Sequence, residues 1–143
     1  MRVISGSLKG KKILEPKDNK TRPLKDLAKE SIFNIIEHSN KFDAQLIDSN
    51  ILDLFSGVGS FGIECLSRGS KKVVFIENYS GVLQILKKNL TSLKLTNNYE
   101  ILESNVYSDK ILSNFVHKVI KNEIMYKQYN QFRRSIKIFK SKH

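Results

Sequence analysis

The chain has a single cysteine, two prolines, few acidic residues and no long apolar run, and each shortage narrows what it can be. With Cys65 alone, an internal disulfide and a cysteine-rich zinc site are both excluded, and the residue reads as a small buried apolar side chain. A membrane-spanning helix needs roughly 18 consecutive apolar residues, and no stretch approaches that length, so no membrane partner is expected. The opening MRVISGSLKGKK has no continuous apolar stretch behind its positive charges and no small-residue cleavage site, so a cytoplasmic location is expected. The prolines are Pro16 and Pro23, which leaves the chain downstream of residue 23 without any proline-containing motif.

The shortage of acid matters most. Fourteen acidic residues face 25 basic ones, and the net charge of +11 attracts polyanions. Nucleic acid is the leading partner; a lysine-rich composition with no binding purpose is the alternative. Residues 1–25 hold Arg2, Lys9, Lys11, Lys12, Lys17, Lys20, Arg22 and Lys25 against Glu15 and Asp18. This concentration marks Arg2, Lys9, Lys11, Lys12, Arg22 and Lys25 as candidate RNA-contacting residues. His38, His117 and His143 are too scattered to suggest a metal site or a catalytic histidine.

At 143 residues one domain is expected, as a monomer. Residues 1–23 carry both prolines with Gly6 and Gly10, and read as a basic arm or hairpin ahead of the core. From 24 to 38, Leu27, Ala28, Ile32, Ile35 and Ile36 recur at helical spacing. Residues 51–55 then form a short apolar run stopped by Ser56 and Gly57, as in a buried parallel strand. A helix over 60–68 closing at Gly69, a strand over 72–76, a helix over 80–93 and a strand over 99–102 complete an alternation that predicts a parallel α/β sheet over 24–107.

The tail from 108 to 143 has neither glycine nor proline and is strongly basic. Ile111, Leu112, Phe115 and Val119 fit a helix, but beyond Ile120 neither a clean strand nor a strong helix is legible. A complete doubly wound domain needs several more strands. The expected fold is therefore a Rossmann-like α/β sheet with flanking helices, incomplete at its C-terminal end.

The chemistry is concentrated in ILDLFSGVGSFGIE, where Gly57, Gly59 and Gly62 make a GxGxxG between a strand and a helix, with Glu77 twenty residues beyond Gly57. In this pattern Gly57 permits a tight turn, Gly59 lets a ligand touch backbone and Gly62 lets helix and strand pack closely. Glu77 can accept both hydroxyls of a ribose. An adenosine-containing cofactor is expected, against a glycine-rich turn that binds nothing. Asp53, four residues before Gly57, decides which cofactor. Its carboxylate would repel a dinucleotide pyrophosphate and attract the sulfonium and ammonium of S-adenosylmethionine. The alternative is that Asp53 caps a turn around Ser56.

Together MRVISGSLKGKKI, TRPLKDLAKESIFNII and ILDLFSGVGSFGIECLSRG resemble the bacterial RsmD-type small-subunit ribosomal RNA guanine-N2 methyltransferases, over residues 1–107. The resemblance implies a Rossmann-like methyltransferase fold, S-adenosylmethionine as cofactor and ribosomal RNA or the small ribosomal subunit as partner. It implies that Phe55, Ser56, Gly57 and Gly59 line the methionine part of the cofactor, that Glu77 holds the ribose with Asn78 beside it, and that Asn105 and Val106 flank the adenine. Arg22 and Pro23 would lie near the mouth of the active site. The implied reaction is direct attack of a guanine amine on the cofactor methyl, without a metal or a covalent enzyme intermediate.

One family element is missing. Its members carry, after the fourth strand, an Asp or Asn followed by two prolines and an aromatic residue. That group holds the exocyclic amine and stacks on a flipped base. With no proline after Pro23 the motif has no counterpart here, and no catalytic residue is assigned. Asn114, Asn122, Tyr126, Tyr129 and Asn130 follow no apolar run ending at the expected sheet edge and read as surface or packing residues. Truncation or a frameshift after the third strand is the expected cause, with a poorly packed tail that covers the edge of that strand only loosely. Three functions compete: the methyltransferase, inactive without its motif; a non-catalytic RNA-binding remnant; and a nicotinamide-binding domain.

Overall fold

A computed structural model of the chain describes residues 1–17, 24–38 and 45–105, together with the backbone of 123–128 and 136–141. Helix α1 runs Asp26–His38, strand β1 Asn50–Asp53, helix α2 Ser60–Ser67, strand β2 Lys72–Glu77, helix α3 Ser80–Ser92 and strand β3 Tyr99–Glu103. Two further strands follow, β4 at Glu123–Gln128 and β5 at Ile136–Ser141. The sheet order is β3-β2-β1-β5-β4, and β1, β2 and β3 are mutually parallel. This is the expected Rossmann-like α/β arrangement, with a helix in each crossover. None of the described helices is long and apolar enough to cross a membrane.

Side chains along β1 and β2 alternate between the two faces of the sheet. Ile51, Val73 and Phe75 enter the larger core with Ile63, Leu86 and Leu90, while Leu52, Leu54, Val74 and Ile76 form a smaller cluster. All eight residues of α2 are buried, and the helix lies tight on β2 because Gly62 has no side chain. A Cβ there would stand 2.3 Å from a Phe75 ring carbon. Cys65 is fully buried in this layer, and burial pushes its thiol well above the ordinary range, so it acts as a packing residue.

Helix α1 buries only part of the face its aliphatic spacing suggests: Ile36 is inside and Ile32 packs against the core, but the inward face is rotated toward Lys29 and Phe33. Leu27 is 77% exposed and Ile35 49%, whereas Lys29, Phe33 and Ile36 are buried. The partners across the interface decide this. Phe33 stacks on Phe61 at 5.0 Å, the Arg68 guanidinium lies 4.4 Å over the Phe33 ring, and Lys29 meets the equally buried Glu64 at 3.6 Å.

Of the arm or hairpin expected, the opening segment forms the hairpin, and it is built into the core instead of standing ahead of it. An antiparallel bridge joins Arg2 to Lys12, and the alternation sends Val3 and Ile13, 1% and 0% exposed, into the interior. Glu64 accepts the amides of Ile4 and Ser5 at 2.8 and 2.9 Å. Asn89 accepts the Leu14 amide at 2.8 Å and donates to the carbonyls of Leu14 and Val58. Residues 1–15 thus satisfy their backbone partly within the hairpin, where Val3 and Ile13 donate to the carbonyls of Lys11 and Met1, and partly through α2 and α3.

The end of the chain departs most from expectation. Two strands stand where none was legible, and they extend the sheet beside β1, while β3 is the outermost strand on the other side among the described residues. Strand β5 runs antiparallel to β1, and β4 runs antiparallel to β5 and so parallel to β1. Gln128 pairs with Ile136, and Ile136 with Asp53, so β4 ends level with the carboxyl end of β1. Of the polar and aromatic residues singled out in the tail, Tyr126 lies in β4, and Asn114, Asn122, Tyr129 and Asn130 lie outside the described residues. The edge of β3 is blunted by charge instead, with Glu100 paired to Lys72 at 2.9 Å and Glu103 to Lys87.

Candidate functional site

Polar groups converge where β1 and β2 end. Asp53, the last residue of β1, is buried at 4% exposure. The chain then turns through Leu54 and half-buried Phe55 to Ser56, whose amide and hydroxyl both donate to the Ile76 carbonyl, at 3.1 and 3.3 Å. That pins the loop to the end of β2. Gly57 follows with φ +53° and donates its amide to Glu77 Oε2 at 2.9 Å. Glu77 Oε1 accepts the amides of Asn78 and Tyr79, each at 2.9 Å. The carboxylate is therefore held by three backbone donors of the two loops that face each other here.

Gly59 is also required by the fold itself. Its φ is +86°, and a Cβ on it would stand 2.4 Å from Leu86 Cδ1, with Ile63 and Phe75 just beyond. The missing side chain faces the core, so left-handed backbone and packing by themselves require this glycine.

Between the loops lies a cavity of about 180 Å³ lined by Leu54, Phe55, Ile76, Glu77, Asn78, Ser104 and Asn105. Four expected site residues, Phe55, Glu77, Asn78 and Asn105, meet in its wall, and Gly57 joins them through Glu77. Asp53, Ser56 and Gly59 adjoin in the chain but do not line it, and Val106 lies outside the described residues. Leu54, Ile76 and Ser104 were not foreseen. The first two sit in the apolar runs flanking the motif and face the second side of the sheet, a signal that alternation carries. Ser104 is placed by its amide, which donates to the Glu77 carbonyl at 3.1 Å.

Cavities for whole small molecules usually measure ~300–1,000 Å³, so one of about 180 Å³ suits a portion of such a molecule. Apolar Leu54, Phe55 and Ile76 offer faces to a base, and Glu77 with Asn78 offers polar atoms to a sugar. The residues present fit the adenosine half of S-adenosylmethionine.

The basic candidates stand on the opening hairpin and its neighbour. Lys9, Lys11, Lys12 and Lys25 are exposed, and the Arg2 side chain, 70% exposed, lies 3.8 Å from Asp26. Arg2 and Lys12 are direct cross-strand neighbours, a like-charge pairing that does not favour the hairpin itself. Arg22 lies outside the described residues. A second cavity, of about 320 Å³, is lined by Met1, Glu15, Leu24, Lys25 and Asp26, away from the glycine loop.

The sequence profile described as conserved hypothetical protein 95 matches residues 1–126. The chain belongs to this family, the RsmD family. Among its relatives it is 43% identical over 101 residues to YlbH of Bacillus subtilis, named for a proposed rRNA methyltransferase activity, covering 71% of this chain and 52% of that protein. It is 32% identical over 120 residues to ribosomal RNA small subunit methyltransferase D of Escherichia coli, covering 84% and 57%. This RsmD-family chain thus spans about half the length of the curated relatives it matches. Among solved structures it resembles the Escherichia coli protein yhhF, with a TM-score of 0.64 at 20% identity over 99% of this chain and 97% of that one. It also resembles HI0767 of Haemophilus influenzae, with a TM-score of 0.56 at 21% identity over 98% and 97%. At those identities the likeness carries the fold alone.

Proposed function

We propose that this chain is the cofactor-binding part of an S-adenosylmethionine-dependent methyltransferase acting on guanine N2 of small-subunit ribosomal RNA in the cytoplasm. The observation that carries this reading is the cavity between the glycine loop and the end of β2, where Phe55, Glu77, Asn78 and Asn105 meet beside the buried Asp53. The bound cofactor would supply an electrophilic methyl group on a cationic sulfur. Glu77 would take ribose hydroxyl, Asn105 with Val106 would flank the adenine, and Phe55, Ser56, Gly57 and Gly59 would run along the methionine part. Asp53 favours the ammonium and sulfonium charges over any phosphate. Arg2, Lys9, Lys11, Lys12, Arg22 and Lys25 would engage RNA phosphates, and the protein would act as a monomer.

A second reading rests on one sequence observation, the lack of any proline after Pro23. Without the family's amine-holding motif, these 143 residues by themselves would bind cofactor and RNA without methyl transfer, as an RNA-binding remnant. Isothermal titration of the purified chain with S-adenosylhomocysteine tests the first reading. Saturable binding that Asp53→Ala abolishes supports it, and a folded chain that does not bind refutes it. Incorporation of labelled methyl into small-subunit RNA then separates turnover from binding alone.

A further inference from the structure

The cavity of about 320 Å³ between the opening hairpin and the start of α1 is larger than the one beside Glu77, and lies inside the ~300–1,000 Å³ that small molecules usually occupy. Met1 and Leu24 pack against the core and give it an apolar floor, Lys25 stands exposed just before α1, and Glu15 and Asp26 complete the lining. The two acids differ. Glu15 is taken by the Met1 amino group. Asp26 is held by charge alone among the described residues: Oδ1 has no hydrogen-bond partner, with Lys29 Nζ 3.9 Å away, and Oδ2 lies 3.8 Å from Arg2 Nε, beyond hydrogen-bond length. With its side chain 38% exposed and neither oxygen tied by such a bond, the carboxylate can turn to present both.

An acid short of donors, an apolar floor and cations at the rim select a ligand with a donor edge, a flat apolar face and an anionic tail. A simple cation would satisfy the acid but would meet Arg2, Lys25 and Lys29 as like charges. A nucleotide has all three parts. Among the four RNA bases only guanine carries two N–H donors side by side, N1–H and the N2 amine, to match the two oxygens of one carboxylate; on the same edge the other three set an acceptor beside their donor. We propose that this cavity is a guanine-nucleotide site, in which Asp26 accepts N1–H and the N2 amine, Met1 and Leu24 meet the base, and Lys25 with Arg2 meets the phosphate. A guanine held in this way has its N2 amine in the carboxylate, so it is not the base that receives a methyl group. In an RNA substrate it is a neighbouring nucleotide, and the site selects the sequence around the target. That last step rests on the RNA methyltransferase reading above; the site itself does not.

NMR titration of the labelled 143-residue chain with the 5′-monophosphates of guanosine, inosine and adenosine tests it. Guanosine monophosphate should shift the amides of Leu24, Lys25 and Asp26 saturably. Read at those amides, the inosine nucleotide, which lacks the N2 amine, should bind about tenfold more weakly, the size of one lost hydrogen bond to a charged group. The adenosine nucleotide, which turns an acceptor toward the acid, should bind more weakly still. Asp26→Asn should bring the guanosine and inosine nucleotides to within about twofold of each other. Equal affinity for the three in the wild-type chain, shifts confined to Phe55, Glu77 and Asn105, or no saturable shift overturns the proposal, even if Asp26→Asn does not fold. Titration with a small-subunit RNA fragment decides the other reading separately. A chain that selects guanosine monophosphate but does not bind this RNA keeps the site and loses RNA as its occupant; a chain that binds the RNA without preferring the guanine nucleotide loses the site and keeps the RNA reading.

Discussion

Replacing Lys29 with Met should destabilise the fold by about 3 kcal/mol, the lower end of the ~3–5 kcal/mol that follows removal of one partner from a buried ion pair. Lys29 and Glu64 have fully buried side chains 3.6 Å apart, and Lys29 Nζ also donates to the Arg2 carbonyl at 2.6 Å and to Ser60 Oγ at 3.3 Å. Met fills the volume of the lysine stem, so the loss is electrostatic. It stays at the lower end because Glu64 keeps three donors, the amides of Ile4 and Ser5 and the Nε of Arg68, the last at 3.0 Å. The converse substitution, Glu64→Leu, should cost more, since it takes the acceptor from two part-buried amides and the buried counter-charge from Lys29. For a chain of this size ~3 kcal/mol lowers the melting temperature by about 6–12 °C. Urea unfolding followed by circular dichroism measures the change at equilibrium. A loss below ~1 kcal/mol for Lys29→Met, or a Glu64→Leu variant more stable than it, would refute the reasoning.

The same lysine has a pH signature. Burial lowers its pKa below 10.5, against the raising influence of Glu64 and Asp26. Between the folded pKa and 10.5 the unfolded chain therefore binds more protons, so this group's contribution to stability is complete above 10.5 and is lost as pH falls through the folded value. The wild-type chain should gain stability relative to Lys29→Met as pH rises toward 10.5, in the same urea experiment run at several pH values.

Gly62→Ala should destabilise by ~1–3 kcal/mol through overpacking, because its Cβ would meet the Phe75 ring at 2.3 Å and Val73 Cγ1 at 2.8 Å. A melting curve reads this directly, and unchanged stability would show that α2 can move off β2. Replacing Lys9, Lys11 and Lys12 together by Ala should weaken RNA binding and lower its log–log salt slope by about 2–3, at roughly 0.7–0.9 for each phosphate no longer neutralised. Fluorescence anisotropy against a small-subunit RNA fragment measures it, with S-adenosylhomocysteine affinity expected to stay unchanged. An unchanged slope would remove the hairpin from the RNA interface.

Several local features could be read from the sequence. The alternation of apolar runs with helical spacing places β1, α2, β2, α3 and β3 within a residue or two, because each of these elements is specified by its own periodicity and by the turn residues that bound it. The glycine motif with an acid twenty residues on named Gly57 and Glu77, and the family resemblance added Phe55, Asn78 and Asn105; they lie at one end of the sheet because strands of a parallel sheet deliver their following loops to a common edge.

What the sequence could not decide were the pairings between distant segments. The buried face of α1 was settled by Glu64, Phe61 and Arg68 on another helix and its end, and a lysine went inward because a carboxylate was waiting there. The opening residues entered the core because Glu64 and Asn89 supply partners for their backbone. The strand register of β4 and β5 depends on the vacant edge of β1, more than 80 residues before β5, and six-residue segments broken by lysines carry no sign of that partner. Local periodicity and turn chemistry are properties of neighbouring residues, so the sequence determines them alone. Burial of charge, the choice of helix face and strand adjacency depend on which groups meet across space, and only the tertiary structure decides those.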